Sequence, residues 1–315
     1  MDEKIEMNQA GEGRALQLGE DMDGARLDKA LLALTPEASL SLRRRLIETG
    51  QARLDGRPAP PGRKVRAGQV LSLATVAAPT ALAPGVRLVL RLGDWAALYK
   101  PAGLPTTALA GKPGPSLEAC LPGLFPDQSP LLLNRLDTPT SGLVLAALAD
   151  PAAQSFRNWE NEGRVRKHYL ALVRGDLWET LVLDRALDTV KRKKTRVLRE
   201  ADPDPTRRTL VEPLPAPPGL PALIQEHGTL TLVRATIKRG ARHQIRAHLA
   251  DLGHALLGDE LYGPAGEPPF PLRLHHQHLE MPGFAVEVEP DWPEVFSQTA
   301  PECPVRETRP DQNEE

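Results

Sequence analysis

The residues best placed to do chemistry are Asn134-Arg135-Leu136-Asp137, followed at once by Thr140-Ser141-Gly142. Leu131, Leu132 and Leu133 read as a short buried strand running into this tetrad, and Leu143, Val144 and Leu145 read as a second running out. A guanidinium and a carboxylate two residues apart, held where two apolar runs meet, make a rigid mount for a reactive group. An ordinary surface turn, with Ser141 and Gly142 supplying turn chemistry, explains the spacing equally well. Three further stretches compete for attention. Lys167 to Val173 alternates as a strand around Tyr169, and a tyrosine in such a strand is most often a core residue with its hydroxyl at the rim. Lys191-Arg192-Lys193-Lys194-Thr195-Arg196 is the strongest basic run, either a solvated loop or a backbone contact for a polyanion. Lys238 to Ala250 predicts a helix with Ile245, Leu249 and Leu252 on one face and Arg242 and Arg246, four residues apart, on another.

Elements that could position these groups follow from periodicity. Residues 1–23 are rich in Gly, Glu and Asp without apolar spacing and read as an acidic disordered tail. A helix opens at Arg26-Leu27-Asp28 with Leu27, Leu31 and Leu34 on one face; a second spans Leu40 to Thr49 behind Ser39, with Arg43, Arg44 and Arg45 outward and Gly50 as its stop. Short strands follow at Ala52 to Leu54, before an Asp55-Gly56 turn, and at Gln69 to Leu73. Ala77 to Pro84 suits a semi-rigid linker, giving a small α+β domain at 24–76 and a linker at 77–85. Beyond it, Val86 to Leu92 and Trp95 to Tyr99 read as strands around Gly93-Asp94, then Lys100-Pro101-Ala102-Gly103 as an ordered loop. A helix is expected from Asp150 to Glu162, strands at Thr209 and from Leu272 to Glu280, and no element for the Pro-rich stretch Pro213 to Pro221.

Composition narrows the class. The length of 315 residues accommodates two domains, no run approaches a membrane span, and Met1-Asp2-Glu3-Lys4 has no signal character, so a cytoplasmic protein is expected. Cys120 and Cys303 are too few for a disulfide framework. Six histidines, His243, His248, His254, His275, His276 and His278, suggest a metal-dependent hydrolase as a rival, but strand alternation separates the C-terminal ones and no metal is expected. Net charge is −2, yet residues 1–23 hold seven acids against two bases and residues 285–315 nine against two, leaving 35 bases against 25 acids between them. That body, at +10, suits a polyanionic partner.

The tetrad with Thr140-Ser141-Gly142 resembles the catalytic segment of the RluA family of pseudouridine synthases, where His usually stands at the position of Asn134. The match extends over residues 86 to 289. It includes Lys100-Pro101-Ala102-Gly103, the Lys167-His168-Tyr169 strand, Gly240-Ala241-Arg242-His243-Gln244-Ile245-Arg246, Gly258-Asp259-Glu260-Leu261-Tyr262-Gly263, and Leu274-His275-His276, like the family's Leu-His-Ala. The two helices and ribbon ahead of it resemble the αL RNA-binding motif. The resemblance implies an α+β fold, a bent, mainly antiparallel mixed sheet with packed helices over 86–296, preceded by a small α+β RNA-binding domain and followed by an acidic tail at 297–315. It also implies isomerisation of uridine in RNA without cofactor, with Asp137 as nucleophile, Arg242 as its cationic partner and Arg246 as the substitute. Because the target carbon is shielded in a stacked helix, the nucleotide must be extruded; Arg135 would fill the gap, and Tyr169 would stack on the uracil and handle its proton. Arg43, Arg44, Arg45, Lys191, Arg192, Lys193, Lys194 and Arg246 are the expected RNA contacts. Ribosomal RNA of the large subunit is the favoured partner and transfer RNA the second, for a monomer; a non-catalytic RNA-binding or ribosome-assembly protein is the alternative.

Overall fold

A computed structural model describes residues 14–36, 40–48, 50–73, 82–108, 114–190 and 193–296. Lys191, Arg192, the side chain of Arg45, the Ser39 cap, residues 77–81 of the expected linker and both ends of the chain (1–13 and 297–315) lie outside the described residues. The chain divides into two compact units: residues 1–138 with 144–157, and residues 139–143 with 158–315.

The first unit opens with a small module of strand β1 (Arg14–Gln17), helices α1 (Leu27–Ala30) and α2 (Leu40–Glu48), and strands β2 (Ala52–Leu54) and β3 (Val70–Leu73), the sheet running β1-β3-β2. Leu27, Leu31 and Leu34 are buried as their spacing predicts, and join Leu18, Ile47, Leu54, Val65 and Leu71 in one core. Strand β1 corrects the expectation of a disordered stretch through residue 23. Arg14 to Gln17 pairs antiparallel with β3, and the Leu18 N–H donates to the Gln69 carbonyl at 2.8 Å. Two leucines among acids are a weak signal alone, but an open sheet edge supplies the hydrogen bonds that order them. Asp55 and Gly56 take φ of +51° and +72°, the two left-handed residues of a tight turn after β2.

The same unit continues with β4 (Arg87–Leu92), β5 (Trp95–Lys100), α3 (Leu117–Leu124), β6 (Leu131–Leu132), the Val144 to Ala147 part of β7 (Ser141–Ala147), and the first two turns of α4 (Asp150–Asn161). Strand β4 pairs with β5, and β6 pairs with β7 through Leu131↔Ala147 and Leu132↔Ala146. Ala147, Ala152 and Ala153 pack under Trp95, Leu131 and Leu133, so α4 lies against the strands that carry the tetrad.

In the second unit β8 (Arg166–Arg174), β9 (Leu181–Leu183), a ribbon of β10 (Arg185–Asp188) and β11 (Arg196–Ala201), β12 (Thr209–Pro213), α5 (Leu220–His227), β13 (Leu230–Ile237), α6 (Gln244–Asp251), β14 (Leu274–Met281), β15 (Phe284–Glu287) and α7 (Pro293–Phe296) follow in order. Its sheet runs β14-β8-β13-β12-β9 with antiparallel neighbours, β15 pairing β14, and Ser141-Gly142 of β7 laid parallel on His275-His276. The fold is therefore α+β on a mixed, mostly antiparallel sheet, as expected. Leu220 and Leu223 of α5, Val295 of α7 and Trp292 just ahead of α7 pack with Leu170, Leu172, Leu230 and Leu232. No described helix is long and apolar enough to cross a membrane.

Candidate active site

Asp137 sits in a loop whose backbone is fastened on both sides. One residue before it, buried Leu136 donates its N–H to Thr106 Oγ1 at 3.0 Å and accepts the same hydroxyl at its carbonyl at 2.7 Å. One residue after it, the Thr138 carbonyl accepts the Gly103 N–H at 2.8 Å and lies 3.3 Å from Lys100 Nζ. The Asp137 carboxylate is half-buried and Arg135 beside it is exposed. The upstream edge is set by Asn134: after the Leu133 N–H meets the Leu145 carbonyl at 2.8 Å, Asn134 Oδ1 accepts the Leu145 N–H at 2.8 Å, so a side-chain amide stands in for the next backbone acceptor of the ladder. A mount of this kind is what the two flanking apolar runs predict.

Lys100 holds the other end of that mount. It is fully buried at the end of β5, donating to the Pro101 carbonyl at 2.8 Å and the Leu104 carbonyl at 2.7 Å besides Thr138. Burial pushes its amine down to about 7, and the charge of Asp137 opposes the shift. Three carbonyl acceptors match the three donors of an ammonium, so the geometry favours the protonated form. The Lys-Pro-Ala-Gly loop is thus tied to the residue that follows Asp137, a role that its sequence alone does not disclose.

The second unit carries the other candidates. Tyr169 is buried on β8, in register with Ala235 of β13 and His276 of β14. Ser141 Oγ lies 2.8 Å from His275 Nδ1, while His275 Nε2 lies 2.9 Å from the Val288 carbonyl. A carbonyl only accepts, so Nε2 carries the proton and Nδ1 accepts from the serine. Two of the histidines grouped as a metal hypothesis are bound to protein: His248 to Thr209 Oγ1 at 3.0 Å and to the Arg185 carbonyl at 2.9 Å, His254 to the Arg174 carbonyl at 2.7 Å.

Arg242 is exposed just ahead of α6, and its placement corrects one expectation. His243 adopts a left-handed conformation, φ +56°, so the helix begins at Gln244 and Arg242 shares no helical face with Arg246. Gln244 accounts for the early start: its Oε1 accepts the Ala241 N–H at 2.9 Å and its Nε2 donates to the Arg207 carbonyl at 2.7 Å, which closes the turn before the helix. Arg246, expected as an RNA contact, is instead buried. Its Nε and Nη2 donate to the two oxygens of Asp259 at 2.8 and 2.7 Å. Burial raises the Asp259 carboxyl, but Arg246 and the Tyr262 and Leu261 N–H groups outweigh it and hold the group below the usual carboxylate range. Tyr262, of the Gly-Asp-x-x-Tyr-Gly turn, is a hub: its hydroxyl accepts the Thr195 N–H at 2.7 Å and lies 3.0 Å from His243 Nδ1, and Thr195 Oγ1 donates to the Arg242 carbonyl at 2.8 Å. This fastens the β10–β11 ribbon, with exposed Lys193 and Lys194 at its tip, to the loop of Arg242.

Of the arginines of α2, Arg44 is half exposed and its Nε donates to Asp28 at 2.8 Å, where Arg26 also binds; Arg43 is half-buried. Both Arg26 and Arg44 thereby present guanidinium edges from a fixed pivot. Thr106, Lys100 and Asn134 emerge as positioning groups only in the folded chain, because their partners lie 11 to 38 residues away.

The sequence profile of the RNA pseudouridylate synthase family matches residues 94–251. The chain is 31% identical over 287 residues to an uncharacterized RNA pseudouridine synthase of Chloroflexus aurantiacus, covering 88% of this chain and 84% of that one. It is 28% identical to ribosomal large subunit pseudouridine synthase D of Nitrosomonas europaea, covering 81% and 73%. Among solved structures, human RNA pseudouridylate synthase domain containing 1 superposes with a TM-score of 0.54 at 25% identity, covering 69% of this chain and 90% of that one. With a tethered aspartate loop, a parallel Ser-Gly bridge and this degree of likeness, the chain belongs to the RNA pseudouridylate synthase family, in its RluA branch, and isomerises uridine in RNA to pseudouridine.

Proposed function

We propose that this synthase acts on uridines of large-subunit ribosomal RNA, with Asp137 as the nucleophile, Arg242 as the cation that favours its ionised form, and Tyr169 as the ring that meets the flipped uracil and takes up its departing proton. The observation that carries the reading is the double fastening of the Asp137 loop, through Leu136 on Thr106 and Thr138 on Gly103 and Lys100. A nucleophile gains most when its backbone is held and its side chain needs no reorganisation. Isomerisation breaks the bond from ribose to the ring nitrogen and re-forms it to carbon without net redox change, so side chains suffice and no cofactor is needed. Extrusion of the nucleotide leaves a gap that Arg135, exposed beside Asp137, would fill.

The RNA substrate follows from two supports. The relative in Nitrosomonas europaea is named for the ribosomal large subunit, and the basic groups Arg43, Arg44, Arg45, Lys191, Arg192, Lys193 and Lys194 suit phosphate contacts that position rather than select. Transfer RNA is the second candidate. The enzyme is read as a cytoplasmic monomer. The test is pseudouridine mapping in total RNA from cells with and without the gene, joined to Asp137→Asn. A site lost from large-subunit ribosomal RNA and restored by wild type but not by Asp137→Asn is the expected result. Loss only from transfer RNA would overturn the substrate, and full rescue by Asp137→Asn would overturn the nucleophile.

A further inference from the structure

Tyr169 has an aromatic ring laid flat against it from the next strand. His276 is its register partner on β14, the ring centroids are 4.5 Å apart, and the planes differ by 15°. The imidazole has no exposed surface. It is also clamped: Nδ1 lies 2.5 Å from the Leu143 carbonyl oxygen, which only accepts, so Nδ1 carries the proton and Nε2 is left as a bare lone pair. Nε2 is buried with no hydrogen-bond partner among the described residues. A proton carrier must titrate near neutrality. This ring does not, because burial pushes it down to about 3, against the Leu143 hydrogen bond that favours its charged form.

The clamp is itself fixed. Leu143 follows Gly142, whose φ is +114° and where a Cβ would meet the His276 carbonyl oxygen at 2.3 Å, so β7 approaches β14 as only glycine permits. His275 grips the same segment from the adjacent position through Ser141 Oγ. A buried polar ring with one unsatisfied nitrogen costs stability compared with an apolar side chain of similar size. Its flat face against a single aromatic partner is what the arrangement obtains in return.

We propose that His276 is a positioning residue for Tyr169: clamped by the Leu143 carbonyl, it sets the plane in which the phenol is presented to the extruded uracil. The proposal rests on the reading of Tyr169 as the ring that meets that base. A phenol stacked on a clamped ring keeps the plane of that ring, and stacking on a base tolerates little rotation.

The full-length chain contains three tyrosines, Tyr99, Tyr169 and Tyr262, so protein labelled with 13C at tyrosine Cζ gives three resonances, with Tyr169→Phe identifying its own. In His276→Ala the Tyr169 resonance shifts and broadens while the other two stay. On a large-subunit ribosomal RNA transcript, kcat falls about tenfold and KM stays within about twofold. His276→Phe keeps a flat ring but cannot donate to the Leu143 carbonyl, so its Tyr169 resonance and kcat are expected between those of wild type and His276→Ala. Should His276→Ala not fold, His276→Leu, of similar volume but not flat, is expected to show the same loss. Unchanged kcat and resonance in His276→Ala or His276→Leu would overturn the proposal, as would a His276→Phe protein as impaired as either. Full activity in Tyr169→Phe and Tyr169→Ala would instead overturn the role of Tyr169, while the resonance data would still report whether His276 holds its ring.

Discussion

If Asp137 is the nucleophile proposed above, its aim depends on the backbone on either side of it, where Leu136 is held by Thr106 and Thr138 by Gly103 and Lys100. Thr106 serves both the N–H and the carbonyl of Leu136, and it is buried. Thr106→Val keeps shape but strands two buried backbone groups, with an expected loss of about 2–4 kcal/mol in urea unfolding. The same variant should lower kcat while leaving KM for RNA nearly unchanged, since phosphate contacts are untouched. Steady-state tritium release from labelled RNA checks the split. A second prediction concerns the buried pair of Arg246 and Asp259, whose side chains are 6% and 0% exposed. Asp259→Asn leaves a guanidinium buried beside a neutral amide and should cost about 3–5 kcal/mol near neutral pH. Because the folded state holds the Asp259 carboxyl below its ordinary value, the stabilisation is complete above the unfolded pKa, near 4, and disappears as pH falls through the lower folded value. The urea midpoints of wild type and Asp259→Asn should therefore converge as pH is lowered below about 4.

At the scale of elements, the N-terminal module turns on Asp28, whose buried carboxylate receives Nε and Nη2 of Arg26 at 3.0 and 2.8 Å and Nε of Arg44 at 2.8 Å. The first of these pairs, with Arg26, holds its carboxyl far below the usual range. Asp28→Ala should loosen α1 against α2, seen as faster hydrogen exchange of Leu27, Leu31 and Ile47 amides, and weaken RNA binding while kcat at saturating RNA persists. The first helix was legible because Leu27, Leu31 and Leu34 repeat at helical spacing, although α1 tightens into a 3-10 turn at Leu31–Ala33, and the second because Gly50 follows α2. Likewise β5 was legible as a strand from an apolar run ahead of Lys100-Pro101, and β8 from its alternation around Tyr169. Elements without such a run were not. Strand β9 has three residues, and β10 and β11 are charged ribbons whose order comes from Thr195 and Tyr262 rather than from an apolar face. Helix α5 begins inside the Pro-rich stretch, where Pro221 at its first turn was the available sign. Strand β13 carries a readable alternation from Leu230 to Ile237 and shows that a site-centred reading passes over strands that hold no motif. Motifs made Asp137, Tyr169 and Arg242 visible as candidates. What holds the loops around them, Lys100 to Thr138 across 38 residues and Thr195 to Arg242 across 47, is pairing at a distance that periodicity does not register. The left-handed His243, which ended the expected helical face of Arg242 and Arg246, belongs to the same class.

For the whole molecule, the net charge of −2 is a poor guide to its affinity for RNA, because the acids concentrate at the ends while residues 24–284 carry an excess of ten bases. Affinity for a polyanion is set by the cations that displace counterions where they touch it, not by the sum over the chain. The equilibrium constant for RNA should therefore fall steeply and linearly with salt on logarithmic axes in spite of the acidic total. Lys193 and Lys194 provide the sharpest version of this argument: both are exposed, and the ribbon that carries them is tied through Thr195 to the loop of Arg242. Each phosphate contact on a single strand contributes a slope of about −0.7, so Lys193→Ala with Lys194→Ala should flatten the slope by roughly 1.4. Binding should weaken alike for RNAs of different sequence, since contacts of this kind do not read bases. Fluorescence anisotropy over a range of potassium chloride measures both quantities. An unchanged slope would mean that the tip of the ribbon is a solvated turn and that the excess of positive charge is used elsewhere on the chain.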